Sequence, residues 1–380
     1  MRHTSGGAAG RTCVIEIGCC TSFCLTLDLI MTASVSLSSR STAVPSVSRE
    51  TKIAFLQNPA SYPHATQQVE LIETHMAWVF LTDDYVYKLK KPVRYGSLDL
   101  TTRAARRRNS VMEVQLNRRL AGDVYRGVVR LAEDNSTLAI DGAGPTADWL
   151  VKMERLPADR MLDVLAAQGA MRPSDVHATV GRLSRLYRAL PPAVSSPQAY
   201  QEQLGEAIRK NAYALRNAPY RVPPASVDAV AEALLRYLEH AQAPLEARVL
   251  DGRVVEGHGD LRPEHVCLCP DPVIFDCLEF SRTLRVLDAL DEVAFLAMEC
   301  ERLGAGFATS AVVEAYETHM GEDVPLDLVH FYQGFRALQR ARIAVRHTWP
   351  PRDASPHPPD HWSSQAEAYL EVAEGVLGSM

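Results

Sequence analysis

Residues 253–280 read RVVEGHGDLRPEHVCLCPDPVIFDCLEF, and this stretch decides the prediction of the fold. Val254 and Val255 are β-branched residues that lead into a turn with two glycines. Pro263 follows, and a proline prevents the simple continuation of either a strand or a helix. The pattern therefore places Asp260 on a loop between regular elements.

The second part of the stretch predicts a β-hairpin. The apolar runs HVCL and VIF flank the sequence PDP, whose residues are typical of a turn. Pairing of the two runs would bring His265 opposite Asp276. Asp260, His265 and Asp276 are thus predicted to converge at one end of a small, otherwise apolar structure.

Converging polar side chains of this kind suit a metal–nucleotide site. One carboxylate can accept the proton of a hydroxyl nucleophile, while a second holds Mg²⁺ against the phosphates. Phosphoryl transfer also needs positive charge from elsewhere in the chain, because its catalysis rests on positioning and charge neutralisation. Lys88 is the predicted source of that charge.

The chain upstream predicts an antiparallel sheet with one helix. VELIETH, AWVFL and YVYKLKKPV, which begin at Val69, are three successive strand-like runs, and a turn follows the second at Thr82. Thr102 can cap a basic helix within 98–120. YRGVVRLA and DWLVKMERL are typical of two further strands.

The runs that follow are mainly helical. MLDVLAA, DVHATVGRLSRLYRAL and QLGEAIRKNAYALRN have helical periodicity. Ser226 is the predicted cap of another helix, whose apolar face carries Val227, Val230, Leu234 and Leu238. A strand-rich part with one helix, followed by a larger helical part, predicts an α+β fold with two lobes and a cleft between them.

The composition disfavours some classes of partner. With 40 Lys and Arg against 46 Asp and Glu, the formal net charge is -6, so we expect neither nucleic acid nor a membrane as partner. The eight cysteines form no pair of CxxC units and predict reduced thiols in the cytoplasm. Residues 1–50 are rich in Ser, Thr, Gly and Ala, which predicts a disordered leader with Met31 as a second start.

HGDLRPEH, followed at a short interval by IFD, resembles the catalytic loop and the metal-binding aspartate of the aminoglycoside phosphotransferase superfamily. VELIETHMAWVFL, YVYKLKKPV, LNRRL, VKMERLPADRMLD and LDEVAFLAMECE resemble an uncharacterised bacterial branch. Members of that branch often carry an additional P-loop kinase domain. The sequence contains neither GxxxxGKS nor GxxxxGKT, so we expect that domain to be absent and consider a separate P-loop kinase as a partner.

The resemblance runs from Lys52 to Val345 and implies a two-lobed, protein-kinase-like fold. It implies a small antiparallel-sheet N-lobe with one helix over 51–155 and a larger, mainly helical C-lobe over 156–380. ATP or GTP, with Mg²⁺, would bind between the lobes.

Five residues acquire roles from this resemblance. It implies that Asp260 is the catalytic base and that Asp276 is the Mg²⁺ ligand. Lys88 matches the lysine that contacts the α- and β-phosphates, and Glu113 matches the helix glutamate that pairs with it. Asp291 matches a buried aspartate that braces the catalytic loop.

Five further residues complete the predicted site. Lys90, on the same strand face as Lys88, is grouped with it in nucleotide binding, and His258 is predicted to pack and hold the loop. His265 stands where the family has asparagine and is the second predicted metal ligand, although Mg²⁺ prefers oxygen. Glu279 and Arg285 are predicted to touch the substrate. No GxGxxG lies between the first two strands, and Cys277-Leu278 replaces the Phe-Gly of protein kinases.

Structural alternatives remain open for these residues. Lys88 and Lys90 could be exposed lysines that protect an edge strand, and Glu113 could be a solvated helix charge. A structural salt bridge would equally explain Glu279 and Arg285. A soft metal could bind His265, Cys267 and Cys269 on one strand face, but no fourth ligand is spaced to complete a tetrahedron.

The expected function is transfer of a γ-phosphate to a hydroxyl of a small molecule that is sugar-like, an amino alcohol or aminoglycoside-like. Too few residues separate Asp276 from Asp291 for an activation loop, which disfavours a protein kinase. The alternative is a pseudokinase, a nucleotide-binding regulatory module without turnover. Carboxylates near the site would suit a cationic acceptor or form a solvated acidic face: Glu256, Glu264, Glu279, Asp288 and Glu292.

Overall fold

The computed structural model describes residues 47–95, 98–134, 137–218, 222–346 and 359–380. The predicted leader over 1–50 lies outside the described residues as far as residue 46, and the first helix begins at Arg49. The strands are β1 (Glu70–Glu73), β2 (Ala77–Leu81), β3 (Tyr85–Lys90), β4 (Arg94–Tyr95), β5 (Leu98–Asp99), β6 (Tyr125–Asp134), β7 (Thr137–Ile140), β8 (Thr146–Glu154), β9 (Val254–Glu256), β10 (Val266–Cys267), β11 (Val273–Ile274) and β12 (Val286–Asp288).

The helices are α1 (Arg49–Gln57), α2 (Arg103–Ala121), α3 (Leu162–Ala167), α4 (Pro173–Ala189), α5 (Pro197–Arg216), α6 (Pro224–His240), α7 (Gln242–Leu250), α8 (Arg282–Arg285), α9 (Ala289–Arg302), α10 (Ala308–Met320), α11 (Leu326–Arg346) and α12 (Pro359–Leu377). The predicted strand-rich part and the larger helical part are therefore confirmed. Within the described residues, no helix combines the length and the apolar character that crossing a membrane requires.

A six-stranded antiparallel sheet forms the first part, with the strand order β1-β2-β3-β8-β6-β7. Strand β3 lies inside this sheet, because Lys88 is paired with Val79 of β2 on one side and with Val151 of β8 on the other. The alternative in which Lys88 and Lys90 protect an exposed edge is therefore wrong.

The period of two residues in β3 separates a core face from a cleft face. Tyr87 and Leu89 pack into an apolar cluster with Leu56, Phe80 and Leu150, and each buried side chain of this size contributes about 1.5–3 kcal/mol to stability. Lys88 and Lys90 consequently project from the other face, towards α2 and the cleft.

Helix α2 is fixed at its start and along its length. The Thr102 hydroxyl accepts a hydrogen bond from the amide of Ala105 at 3.2 Å, as the capping prediction requires. Arg106 then makes two hydrogen bonds of 2.9 Å to the Asp148 carboxylate on β8. This bidentate pair holds α2 against the sheet.

The helical part is built around α9, whose residues from Ala289 to Cys300 are all buried. Such a helix is apolar on most sides, as its sequence indicates, and its charged residues need partners. Helix α6 buries Val227, Val230 and Leu234 as predicted, but it begins at Pro224 rather than after Ser226. A proline at the first helical position explains the earlier start, because its missing N–H would have no partner there.

Two short antiparallel strand pairs flank the loops of the predicted site. Strand β9 pairs with β12, and β10 pairs with β11 through Val266 opposite Ile274. The predicted hairpin is thus confirmed, but its register is shifted by one residue: His265 lies opposite Phe275, whose amide donates to the His265 carbonyl at 3.0 Å, and not opposite Asp276 as predicted. A single turn of 3₁₀-helix, Pro263–His265, connects the Asp260 loop to β10.

Candidate active site

A cleft lies between the cleft face of the sheet and the loops of the helical part. Aliphatic side chains of the sheet form its roof, and charged groups lie at its inner end. The side chains that line it include Ile72, Val79, Val86, Lys88, Lys90, Tyr125, Met153, Met161, Asp163, Glu264, His265, Phe275, Asp276 and Glu279. The apolar roof suits a flat heterocycle, and the charged end suits phosphates.

The loop that carries Asp260 is held by one carboxylate of α9. The amides of His258 and Gly259 donate to Glu292 Oε1 at 2.8 and 2.6 Å, and the Tyr187 hydroxyl donates to Glu292 Oε2 at 2.7 Å. A Cβ at Gly257 would lie 2.6 Å from the same carboxylate. A larger residue at this position would therefore displace the carboxylate that holds the loop.

The residue that holds the loop is Glu292, not the predicted Asp291. The Asp291 carboxylate instead accepts two hydrogen bonds of 2.7 Å from Arg336 on α11. Successive residues of a helix point about 100° apart, so a shift of one position changes the neighbouring element. An acidic residue of α9 therefore does hold the loop, as predicted, but that residue is the neighbour of Asp291.

His258 is fully buried and links the loop to the hairpin. Its Nε2 donates to the carbonyl of Phe275 at 2.8 Å, which leaves Nδ1 as an acceptor towards the amide of Asp260 at 3.4 Å. Burial lowers the pKa of His258, which favours this neutral tautomer at pH 7. The contacts fit a packed residue that supports the loop.

Asp260 lies deeper than the cleft wall. Its side chain is buried, with the residue only 1% exposed, and its Oδ2 lies 3.4 Å from Arg262 Nε. Burial raises the pKa of Asp260, but the nearby Arg262 and His265 hold it below its ordinary value. Asp260 is consequently ionised at neutral pH, as a proton acceptor must be.

His265 connects Asp260 to the cleft. Its Nδ1 donates to the Asp260 carbonyl at 2.7 Å, and its Nε2 lies 3.8 Å from Asp276 Oδ2. His265 therefore lies beside the Asp276 carboxylate in the cleft. Its contact with Asp260 is to the backbone carbonyl and not to the carboxylate.

Lysines and carboxylates alternate at the inner end of the cleft. Lys88 Nζ lies 2.8 Å from Asp276 Oδ1 and 3.0 Å from Glu113 Oε1, while Lys90 contacts the second oxygen of Glu113 and lies 2.5 Å from Glu279. Glu113 is completely buried, which overturns its alternative as a solvated helix charge. Strand β3, helix α2 and the Asp276 segment thus share one ionic network.

The charges of this network support one another. Burial alone would lower the pKa of the Lys88 amine, but Asp276 and Glu113 raise it well above its ordinary value. Burial likewise raises the pKa of Asp276, but Lys88, His265 and Lys90 together hold it below its ordinary value. Burial raises the pKa of Glu113 as well, but Lys88 and Lys90 hold it below its ordinary value. Lys88, Asp276 and Glu113 therefore carry their charges at neutral pH.

We expect the contribution of Asp276 to stability to depend on acid pH. A carboxyl group with a lowered folded pKa stabilises the fold above its unfolded pKa, ordinarily 3.8, and loses that effect as pH falls towards the folded value. Urea unfolding of the wild type and of Asp276→Asn at pH 7, 5 and 3 measures this contribution to the free energy of unfolding. The difference in unfolding free energy should be constant from pH 7 to 5 and smaller at pH 3; a difference that grows on acidification would contradict the prediction.

Glu279 and Arg285 separate in the structure. Glu279 lines the cleft and pairs with Lys90. Arg285 instead donates to Glu256 Oε1 at 2.6 and 3.1 Å and to the Leu278 carbonyl at 2.6 Å. Arg285 is therefore a structural residue, and its prediction as a substrate contact is corrected.

The five acidic residues that favoured a cationic acceptor already have partners. Glu256 pairs with Arg285, Glu264 with Arg262, Glu279 with Lys90, Asp288 with Arg248, and Glu292 with the loop amides. They neither form a solvated acidic face nor supply free negative charge. The charge of the acceptor does not follow from them.

The donor set of the cleft fits a metal that arrives with a nucleotide. Among the described residues, no group of three or more His, Cys, Asp or Glu side chains could hold a metal on its own, so the soft-metal alternative gains no support. Mg²⁺ in kinases commonly uses one or two carboxylates, with phosphate oxygens and water as further ligands. Asp276 supplies one such carboxylate, whereas the His265 nitrogen is a poor match.

Sequence reasoning missed several residues of this site. Asn117 and Arg119 of α2, and Tyr125 at the start of β6, all bond to the backbone near Asp276 or to the chain that enters the Asp260 loop. The run LNRRL was noted as part of the resemblance, but nothing in its pattern indicates contact with residues more than a hundred positions away.

No family model matches the chain. Uncharacterised proteins of Mycobacterium tuberculosis and Mycobacterium bovis are each 30% identical over 278 residues, which cover 72% of this chain and 54% of the relative. The chain thus spans about half the length of the curated relatives it matches.

Among solved structures, a choline/ethanolamine kinase family protein from Mesorhizobium loti is similar, with a TM-score of 0.52 and 16% identity. The superposition covers 85% of this chain and 94% of that protein. This likeness concerns the fold, and it confirms the predicted arrangement of a small sheet lobe and a larger helical lobe around a cleft.

Proposed function

We propose that this chain, which has the protein-kinase-like fold of the aminoglycoside phosphotransferase superfamily, transfers the γ-phosphate of a nucleotide to a hydroxyl of a small molecule. One observation carries the proposal. Lys88, from the sheet lobe, contacts both Glu113 and Asp276 at the inner end of the cleft, which sets a cation and a metal-binding carboxylate side by side.

Each residue of the site has a separate role in the proposed reaction. Lys88 would bind phosphate oxygens, with Glu113 orienting its ammonium group, and Asp276 would hold the Mg²⁺ that accompanies ATP or GTP. Mg²⁺, when bound, neutralises charge on the phosphates. Asp260 accepts the proton of the acceptor hydroxyl while that oxygen bonds to the γ-phosphorus and the nucleoside diphosphate leaves.

The acceptor belongs to the small hydroxyl compounds. The Mesorhizobium protein is a choline/ethanolamine kinase family protein, which places amino alcohols among the compounds to test first, beside sugars and aminoglycoside-like molecules. Because Glu264 and Glu279, which line the cleft, are paired with Arg262 and Lys90, neutral acceptors deserve equal weight in that test.

A second function has one observation in its favour. Asp260 is buried and is not among the side chains that line the cleft. A nucleotide-binding module without turnover would need no access to this carboxylate. Such a module would bind Mg–nucleotide and transfer phosphate to no acceptor.

The first test is nucleotide binding measured by calorimetry, with and without Mg²⁺. We expect Asp276→Asn to weaken binding of Mg–ATP by at least about tenfold. Loss of a residue that only hydrogen-bonds to a metal ligand already costs about tenfold or more in metal affinity, and Asp276 would be the ligand itself. Binding of metal-free ATP should change little, since Lys88 remains. Asp271→Asn, the same substitution on the exposed turn of the hairpin, is the matched control.

The second test is transfer of labelled γ-phosphate from ATP or GTP to pooled small hydroxyl compounds. Phosphorylation of one compound class by the wild type supports the enzyme. Metal-dependent binding without transfer to any pool supports the regulatory module. Absence of metal-dependent nucleotide binding in the wild type would contradict both functions.

A further inference from the structure

We propose that Asn117 is a positioning residue that sets the backbone conformation of Asp276, and thereby aims its carboxylate at the metal. This inference rests on the proposed nucleotide function. Asn117 lies on α2, far from Asp276 in sequence, and is 1% exposed. It contacts the chain next to Asp276 rather than the reacting groups.

Asp276 has an uncommon backbone conformation. Its φ is +63°, in the left-handed region that residues with a side chain rarely adopt. Such a conformation persists where the surrounding structure holds it, and it is often found at functional sites. The groups around Asp276 must therefore hold this conformation.

Two side chains of the sheet lobe bind the amides on either side of Asp276. The amide of Cys277 donates to Asn117 Oδ1 at 2.9 Å, and the amide of Asp276 itself donates to the Tyr125 hydroxyl at 3.3 Å. A change of φ at Asp276 towards common values would rotate these amides away from both acceptors. The two bonds thus select the observed conformation.

The amide group of Asn117 is itself oriented. Its Nδ2 donates to the carbonyl of Glu113, one helical turn earlier, at 2.9 Å, so Oδ1 faces Cys277. Glu113 is the partner of Lys88, which contacts the Asp276 carboxylate. One turn of α2 therefore fixes both the backbone and the charge partner of Asp276.

The same helix also reaches the Asp260 loop. Arg119 donates to the carbonyls of Glu256 and Gly257, both at 2.8 Å, where the chain enters that loop. This contact fixes α2 relative to the helical lobe independently of Asn117. Replacement of Asn117 should consequently leave α2 in place and release only the Asp276 backbone.

Calorimetry of Asn117→Ala tests the proposal. We expect affinity for Mg–ATP to fall about tenfold, as for loss of an outer partner of a metal ligand, while affinity for metal-free ATP stays within about twofold. The matched control is Asn109→Ala, because Asn109 is a buried asparagine of the same helix two turns earlier. It should retain the wild-type gain in affinity on addition of Mg²⁺.

Tyr125→Phe is the second variant, since it deletes one oxygen and keeps the packing. A smaller loss in the same direction is expected, because its hydrogen bond is longer. If Asn117→Ala does not bind metal-free ATP, the substitution has disturbed the cleft as a whole. Tyr125→Phe then decides whether the hydrogen bonds to the amides of Asp276 and Cys277 support metal binding. Retention of the full Mg²⁺ effect by both folded variants would overturn the role of Asn117, whereas failure of the wild type to show any Mg²⁺ effect would overturn the proposed function instead.

Discussion

Asp260→Asn should lower the rate of phosphoryl transfer about a thousandfold, within the range that a general base contributes. The substitution keeps the shape of the side chain but removes the negative charge and the proton acceptor. Arg262 would then lose the charge of its neighbour at 3.4 Å, without loss of packing. Nucleotide affinity should change little, because Asp260 does not line the cleft.

The measurement is kcat with the acceptor that the transfer assay identifies, together with the calorimetric affinity for Mg–ATP. Asp251→Asn, on the exposed turn before β9, is the matched control and should retain wild-type rates. A variant at Asp260 with unchanged kcat would remove this carboxylate from the mechanism. Loss of nucleotide binding in step with kcat would instead indicate a role in the fold of the cleft.

The second large effect concerns stability. Glu292→Leu would remove the acceptor of the His258 amide, the Gly259 amide and the Tyr187 hydroxyl, all of them buried. Each buried donor that is left without a partner costs about 1–3 kcal/mol. We therefore expect a loss of about 3–5 kcal/mol in the free energy of unfolding, since the loop can relax in part.

Urea unfolding followed by circular dichroism measures this loss. Glu292→Gln should cost less, because its remaining carbonyl oxygen can still accept one of the amides. Glu371→Leu, at an exposed site on α12, is the control and should stay within about 0.5 kcal/mol of the wild type. If Glu292→Leu were as stable as this control, Glu292 would not be the brace of the loop.

Local patterns predicted most of the fold. The Asp260 loop, the hairpin of β10 and β11, the cap at Thr102 and the apolar face of α6 all arise from neighbouring residues, and the structure contains each of them. Helix α1 and strand β7 are among the elements that were not predicted. Both are short, and their apolar residues pack against the sheet core rather than forming a pattern that is clear in isolation.

Partners that are distant in sequence were harder to predict. Lys88 was paired with Glu113 through the family resemblance, but the second lysine on the same carboxylate and the Lys90–Glu279 contact depend on how two lobes meet. The assignment of the brace to Asp291 instead of Glu292 shows the same limit. Which of two adjacent acidic residues faces the loop depends on the rotation of α9, and the local sequence does not specify that rotation.

The double pairing of β3 restricts how this chain can vary in length. A strand that is bonded on both sides cannot slide to absorb an inserted residue, and a slip of one position inverts the two faces of a strand. Here that inversion would turn Lys88 into the core and Leu89 into the cleft. Natural insertions and deletions should therefore occur in the turns around β3, and the strand itself should keep its length of six residues.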